Sequence, residues 1–62
     1  MTQQEACIAM KYAALNAGAE GKRREKLIYE IEHFRRRLAR QGRTMECFFH
    51  YAGLHTYEVV IR

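Results

Sequence analysis

The sequence predicts one α+β domain over residues 1–62, in which two antiparallel helices are followed by a C-terminal β-hairpin. Residues 3–17 are rich in helix-forming residues, and residues 22–41 carry a hydrophobic stripe at helical spacing. Residues 43–62 instead alternate with a period of two, as strands do. A chain of 62 residues holds one small domain only, because it buries about 60% of the surface that it exposes when unfolded.

The first helix is predicted to begin at a capping box, since Thr2 is followed by Glu5 three residues later. Ile8, Tyr12 and Leu15 lie on one of its faces. The opposite side carries further apolar residues, namely Ala6, Met10, Ala13 and Ala17. A helix that is apolar on two sides is expected to be covered on two sides.

The second helix has the clearest pattern of the chain. Gly18 and Gly21 mark the connector before it, and Gly42 marks its end. Its hydrophobic stripe is formed by Leu27, Ile31, Phe34 and Leu38. The helix is predicted to be about 30 Å long if it is unbroken.

The hairpin is predicted to turn at Ala52-Gly53-Leu54, with Tyr51 facing Tyr57. This register pairs Phe49 with Val59 and Cys47 with Ile61 on one face, and His50 with Glu58, Phe48 with Val60 and Glu46 with Arg62 on the other. Each pair is chemically compatible, as cross-strand neighbours should be. The face expected to lie on the helices consists of Met45, Phe49, Tyr57, Val59 and Ile61.

Two apolar surfaces remain after this assignment. One is the small-residue face of the first helix with Met10 and Ala13, and the other is the outer face of the hairpin with Phe48, His50 and Val60. Together they are more apolar surface than a monomer of this size can bury, so we expect a homodimer or a partner protein. In a homodimer the strands can also pair edge to edge. The alternative is that these are the scattered exposed apolar residues of an ordinary monomer.

The residue types that are absent argue against an enzyme. The chain has no Asp, Ser, Trp or Pro, which excludes a serine nucleophile and aspartate-based metal loops. Cys7 and Cys47 are expected to be reduced and to lie on apolar faces that raise a thiol pKa. Cys47 and His50 have the spacing of a metal pair, but strand alternation points them to opposite faces. We therefore expect no catalytic site, metal, cofactor or small-molecule substrate.

The start of the sequence has no secretory signal pattern, and the chain has no long apolar stretch. We therefore expect a cytoplasmic protein. Binding of the second helix to a membrane surface ranks last, because its apolar stripe lacks Trp and is needed for the core.

The positive charge is concentrated in one segment. Residues 22–43 contain nine basic and three acidic residues, a net charge of +6, whereas the rest of the chain carries −2. On a helical projection, one line of residues lies opposite the hydrophobic stripe. The line consists of Lys22, Lys26, Tyr29, His33, Arg36 and Arg40, and Arg37 borders it. We call these seven residues together the basic row. Arg43 follows it just beyond the helix.

The basic row and Arg43 suit a polyanion such as DNA or RNA, because guanidinium groups bind phosphates with paired hydrogen bonds and rings stack on bases. A basic helix followed by a hairpin is also loosely similar to the second half of a winged helix-turn-helix. Here, however, only one helix precedes it and the hairpin tip, residues 51–55, has no Lys or Arg, so membership is not inferred. The alternative is that the basic row is only the solvated outer face of an amphipathic helix and binds nothing.

A second hypothesis is a stoichiometric protein-binding module or inhibitor, similar in size and composition to accessory proteins of phages and mobile elements. It would dock on a larger host protein through the hairpin and the arginine-rich helix.

Overall fold

The computed structural model describes residues 2–51 and 55–62. It contains four elements, α1 (Gln3–Asn16), α2 (Gly21–Arg40), β1 (Met45–Tyr51) and β2 (His55–Ile61). The two strands pair antiparallel in a two-stranded sheet, so the predicted order of two helices and a hairpin is confirmed. The predicted turn at residues 52–54 lies outside the described residues.

α1 begins at the predicted capping box. The Thr2 hydroxyl accepts a hydrogen bond from the Glu5 backbone N–H at 3.1 Å, and the Glu5 carboxylate accepts one from the Thr2 N–H, also at 3.1 Å. Two N–H groups at the helix start, which have no partner within the helix, are thereby satisfied.

α2 ends at Gly42, whose φ of 69° lies in the left-handed region that favours glycine. The Arg43 N–H donates to the Leu38 carbonyl at 2.9 Å, and the Gly42 N–H donates to that of Ala39 at 3.0 Å. These two bonds define a Schellman motif, which turns the chain sharply back at the helix end. Arg43 therefore sits directly beside the last turn of α2.

α1 lies between α2 and the hairpin, and it packs against both. β2 makes most of the contact between the sheet and α1. The buried core is formed by Ile8, Leu27, Ile31, Phe34, Leu38 and Met45. The predicted stripe of α2 is thus buried. On α1, Ile8 is buried and Tyr12 and Leu15 pack against the core. On the opposite side Met10 is 75% exposed and Ala17 is also exposed, so the expectation that α1 is covered on both of its apolar sides is wrong for these two residues.

The predicted strand register is wrong by two residues. Phe49 lies opposite Tyr57 and Cys47 lies opposite Val59. None of the predicted opposed pairs forms, namely Tyr51–Tyr57, Phe49–Val59, Cys47–Ile61, His50–Glu58, Phe48–Val60 and Glu46–Arg62. A shift of two leaves each residue on its predicted face, so the alternating pattern cannot distinguish the two registers.

The observed register also brings side chains of compatible packing and charge next to each other. The rings of Phe49 and Tyr57 have centroids 5.1 Å apart. The predicted charge pairs persist as diagonal neighbours, because His50 Nε2 lies 3.3 Å from Glu58 Oε1 and Arg62 Nε lies 3.6 Å from Glu46 Oε2. Long polar side chains reach such diagonal partners across a sheet.

Phe49 is predicted to lie against the helices, but it is only partly covered. Met45 is buried, and Val59 and Ile61 pack against the core, but Phe49 is 47% exposed. The helices cover the end of the sheet where Met45 pairs with Ile61, and Phe49 lies four residues further along β1. At about 3.3 Å per residue this carries its side chain past the helical layer.

Candidate nucleic-acid interface

The side chains of the basic row lie on the solvent side of α2. All seven residues are exposed, and Tyr29 is 75% exposed. From Lys22 to Arg40 the row spans about 27 Å at 1.5 Å per residue. It offers five Lys and Arg side chains, with one phenol and one imidazole between them. Such a row can contact several consecutive phosphates.

Glu30 of α2 lies beside part of this row, and it forms an ion pair with α1. Lys11 Nζ lies 2.7 Å from Glu30 Oε2. Among the described residues, none of the five cations of the row has a carboxylate within 4.0 Å. The five cations are therefore not ion-paired within the part of the chain that the structure describes, although the charge of Lys26 helps to lower the pKa of Glu30.

The same ion pair shifts both of its partners toward their charged forms. The hydrogen bond from Lys11 lowers the pKa of Glu30, and the hydrogen bond to Glu30 raises the pKa of Lys11. Glu30 is thus held as a carboxylate with a dedicated cation, and its field on the row is partly cancelled.

Arg43 has a different environment from the row. Its guanidinium nitrogen Nη2 lies 2.9 Å from Glu5 Oε1, and it is partly buried. The pKa of Glu5 is lowered, first by the hydrogen bond from the Thr2 backbone and then by the one from Arg43. Arg43 therefore links the end of α2 to the start of α1, and a phosphate would have to compete with Glu5 for it.

A cleft opens beside the row, where α1 crosses α2. It has a volume of about 260 Å³, and its apolar lining comes from Ile8 and Phe34. Three residues of the row lie at the cleft, namely Tyr29, His33 and Arg37. The Arg37 guanidinium carbon lies 5.8 Å from the centroid of the Phe34 ring. The row and the cleft therefore form one continuous surface.

Comparison with known proteins gives no guide to this surface. Neither the protein-family models, nor the curated proteins, nor the solved structures contain a match to the chain. The functional argument therefore rests on the residues themselves.

The second predicted surface, on the hairpin and on α1, is only partly open. Met10 is 75% exposed and Phe48 is 42% exposed, whereas Ala13 and Val60 are partly buried. His50 is exposed and contacts Glu58. The sequence places Met10 and Ala13 on one interface. In the structure only Met10 of the two is exposed, because Ala13 is partly buried.

The two cysteines lie in different environments. Both thiols are free. Burial raises the pKa of the Cys47 thiol, as predicted, whereas Cys7 is exposed to solvent and does not have the apolar surroundings predicted for it. Within residues 2–51 and 55–62, no three His, Cys or Glu side chains are grouped closely enough to hold a metal ion. Neither described helix combines the length and the apolar character that a bilayer crossing needs.

Sequence reasoning missed the cleft and both interhelical ion pairs. Gln4 and Ile8 belong to the cleft although they come from α1, more than 20 residues before Tyr29, the first residue of the row that lines it. Lys11 and Glu30 are 19 residues apart. Only the relative rotation of the two helices brings these residues together, and no local pattern encodes it.

Proposed function

We propose that this protein is a small non-enzymatic regulatory module that binds nucleic acid, DNA or RNA, through the basic row of α2. The observation that supports it is the set of five exposed cations on one helix face, none of which has a carboxylate partner among the described residues. Exposed Lys and Arg side chains release counterions when they contact phosphates, and this supplies most of the non-specific affinity.

Arg43 is left out of the proposed contact set. Its partner Glu5 is mostly buried and also caps α1, so freeing Arg43 would break a contact between helices. Tyr29 and His33 are retained, because exposed rings within a cationic row can stack on bases or donate hydrogen bonds.

Salt dependence tests this proposal. Binding to a mixed-sequence duplex and to a single strand is measured by fluorescence anisotropy at several salt concentrations. Five phosphate contacts predict log–log slopes of about −4.5 on the duplex and about −3.5 on the single strand. Absence of salt-sensitive binding to either ligand would refute the proposal.

A matched pair of variants locates the contact surface. Arg36→Glu with Arg40→Glu reverses two charges in the row, and Arg23→Glu with Arg24→Glu reverses two exposed charges outside it. The net charge changes equally, so we expect the first pair to abolish binding and the second to weaken it modestly. Equal losses would show that only net charge matters and would contradict a contact surface on the row.

We also propose that the hairpin pairs with a second copy of the chain along the edge of β1 that faces away from β2. Thr44 and Arg62 exchange two backbone hydrogen bonds, of 3.3 and 2.9 Å, so they form a hydrogen-bonded pair. Such pairs alternate along an antiparallel ladder. The backbone N–H and C=O groups of Cys47 and Phe49 therefore point away from β2, toward the edge of β1.

One register is self-complementary over the whole of β1 (Met45–Tyr51). A two-fold axis at Phe48 pairs Cys47 with the partner's Phe49, and these are the residues whose backbone groups face the edge. Phe48, which is 42% exposed, meets its own copy, and Glu46 lies opposite the partner's His50. An aromatic pair and a carboxylate–imidazole pair both stabilise adjacent strands.

Engineered cysteines test the two-fold axis. In a Cys7→Ala, Cys47→Ala background, Phe48→Cys should form an intermolecular disulfide under mild oxidation, since opposed residues of a non-hydrogen-bonded pair lie about 4.5 Å apart at Cα. Glu46→Cys is the matched control and should not cross-link, because the two copies of residue 46 lie on either side of the axis.

Sedimentation equilibrium of the unmodified chain accompanies the cross-linking. A dimer at micromolar concentration supports the proposal. A monomer at 0.1 mM, or equal cross-linking at both positions, would overturn it. The alternative, docking of the hairpin on a host protein, would then be the hypothesis to pursue for Phe48 and His50.

A further inference from the structure

We propose that the cleft between α1 and α2 holds one unstacked nucleobase, so that the ligand of the basic row is single-stranded nucleic acid. This inference rests on the proposed function and adds a ligand class to it. It follows from the position of the cleft, which shares Tyr29, His33 and Arg37 with the row.

The size of the cleft suits a single ring system. Its volume of about 260 Å³ lies just below the range of about 300–1,000 Å³ found for drug-sized ligands. A single base fits such a space, whereas a duplex as a whole does not. Inside a duplex both faces of every base are covered by stacking, so only a single strand can supply a base without the cost of flipping it out.

The lining has the chemistry that a base requires. Ile8 and Phe34 give it an apolar floor that is almost wholly buried. The Tyr29 ring stands at the rim, mostly exposed, where it can stack on a base. The Gln4 amide, also at the rim, offers both a donor and an acceptor to the polar edge of a base.

The charges around the cleft are arranged for the phosphates on either side of that base. Lys26 and Arg37 belong to the row, and Arg37 borders the cleft directly. Glu30 also lines the cleft, but its carboxylate is bonded to Lys11 at 2.7 Å. Among the described residues that line the cleft, Glu30 is the only acidic one. Because it has its own cation, it does not repel the strand as an unpaired carboxylate would.

The test uses three fluorescent probes of matched sequence: a 12-nucleotide single strand, the same strand with abasic sites, and the corresponding duplex. Each single strand is made as DNA and as RNA, since either could supply the base. We expect the intact strands to bind about fivefold to a hundredfold more tightly than the abasic strands, because stacking of one base contributes about 1–3 kcal/mol. The phosphate charge is the same in both.

Variants of Tyr29 separate stacking from charge. Tyr29→Ala should weaken binding of the intact strand by about fivefold to a hundredfold, the contribution of one stacked base. The salt dependence of binding and the affinity for the abasic strand should both stay unchanged. Tyr29→Phe keeps the ring and should bind nearly as the unmodified chain does. Met10→Ala is the control, because Met10 is equally exposed but lies outside the cleft.

The outcomes distinguish this inference from the proposed function. Salt-sensitive binding that is equal for intact and abasic strands, or unchanged in Tyr29→Ala, overturns the base-binding cleft and leaves the basic row standing. Preference for the duplex over the single strand also overturns it. Absence of salt-sensitive binding to every probe overturns both. Circular dichroism of each variant checks that the fold is retained.

Discussion

The Glu5 carboxylate lies 2.9 Å from the Arg43 guanidinium, and this contact joins the first turn of α1 to the residue that follows the end of α2. Glu5 also accepts the Thr2 backbone N–H, so one carboxylate both caps a helix and links two helices. It is mostly buried, which makes this interaction less screened by solvent than the ion pairs on the hairpin.

Acid should destabilise the protein through Glu5. Its pKa is lowered in the folded state by the Thr2 backbone hydrogen bond and by Arg43, so its stabilising effect is complete above the unfolded value of about 4.5 and is lost as pH falls through the folded value. We expect the urea midpoint to fall between pH 5 and pH 3, and Glu5→Gln to reduce this dependence. Glu25→Gln removes an exposed carboxylate of α2 as the control, and an identical pH dependence in both variants would contradict the assignment.

Gly42 should be sensitive to any side chain. Its φ of 69° disfavours L-residues, although an added Cβ would meet no atom within 4 Å. Gly42→Ala is therefore expected to destabilise the fold by about 1–2 kcal/mol through backbone strain alone. Thermal unfolding followed by circular dichroism measures the loss. Asn at this position tolerates the left-handed region better, so a Gly42→Asn variant less stable than Gly42→Ala would argue against strain as the cause.

Leu38 should be essential for folding. It is 3% exposed and lies at the end of α2 where Arg43 turns back. Leu38→Ala is expected to cost about 2–5 kcal/mol, which is most of the stability of a 62-residue domain at about 0.05–0.15 kcal/mol per residue. Urea unfolding measures this loss. Met10→Ala, at an exposed site, should change stability by less than about 0.5 kcal/mol.

The strand register can be checked by NMR. Cys47 lies opposite Val59, and Phe49 lies opposite Tyr57, both in non-hydrogen-bonded pairs. Their α-protons are the closest across the strands, so both pairs should give strong Hα–Hα cross-peaks. A cross-peak between Cys47 and Ile61 instead would indicate the register shifted by two residues.

The two cysteines should differ in reactivity toward iodoacetamide. Cys7 is exposed, whereas Cys47 is partly buried and burial raises its pKa. Since the thiolate is the reacting species, Cys47 should be alkylated more slowly at pH 8. Mass spectrometry after partial labelling measures the ratio, and equal rates in urea would show that the fold causes the difference. Faster labelling of Cys47 in the native protein would contradict the buried position.

The local structure of this chain is determined by its sequence. Thr2 and Glu5 form the capping box that their spacing predicts, and Gly42 ends α2 in the Schellman motif. The stripe from Leu27 to Leu38 is buried, and the basic row is exposed opposite it. Each of these features depends on residues within one or two helical turns, where the helical period fixes which side chains share a face.

Only the three-dimensional structure shows which register, ion pairs and cleft the chain forms. The alternating pattern of β1 fixes which face each residue occupies, but registers that differ by two residues satisfy it equally, so the pattern does not choose between Val59 and Ile61 opposite Cys47. The pairing of Lys11 with Glu30 and the place of Ile8 in the cleft depend on how α1 is rotated against α2. That rotation is set by side-chain packing between residues far apart in the chain, which no local spacing records.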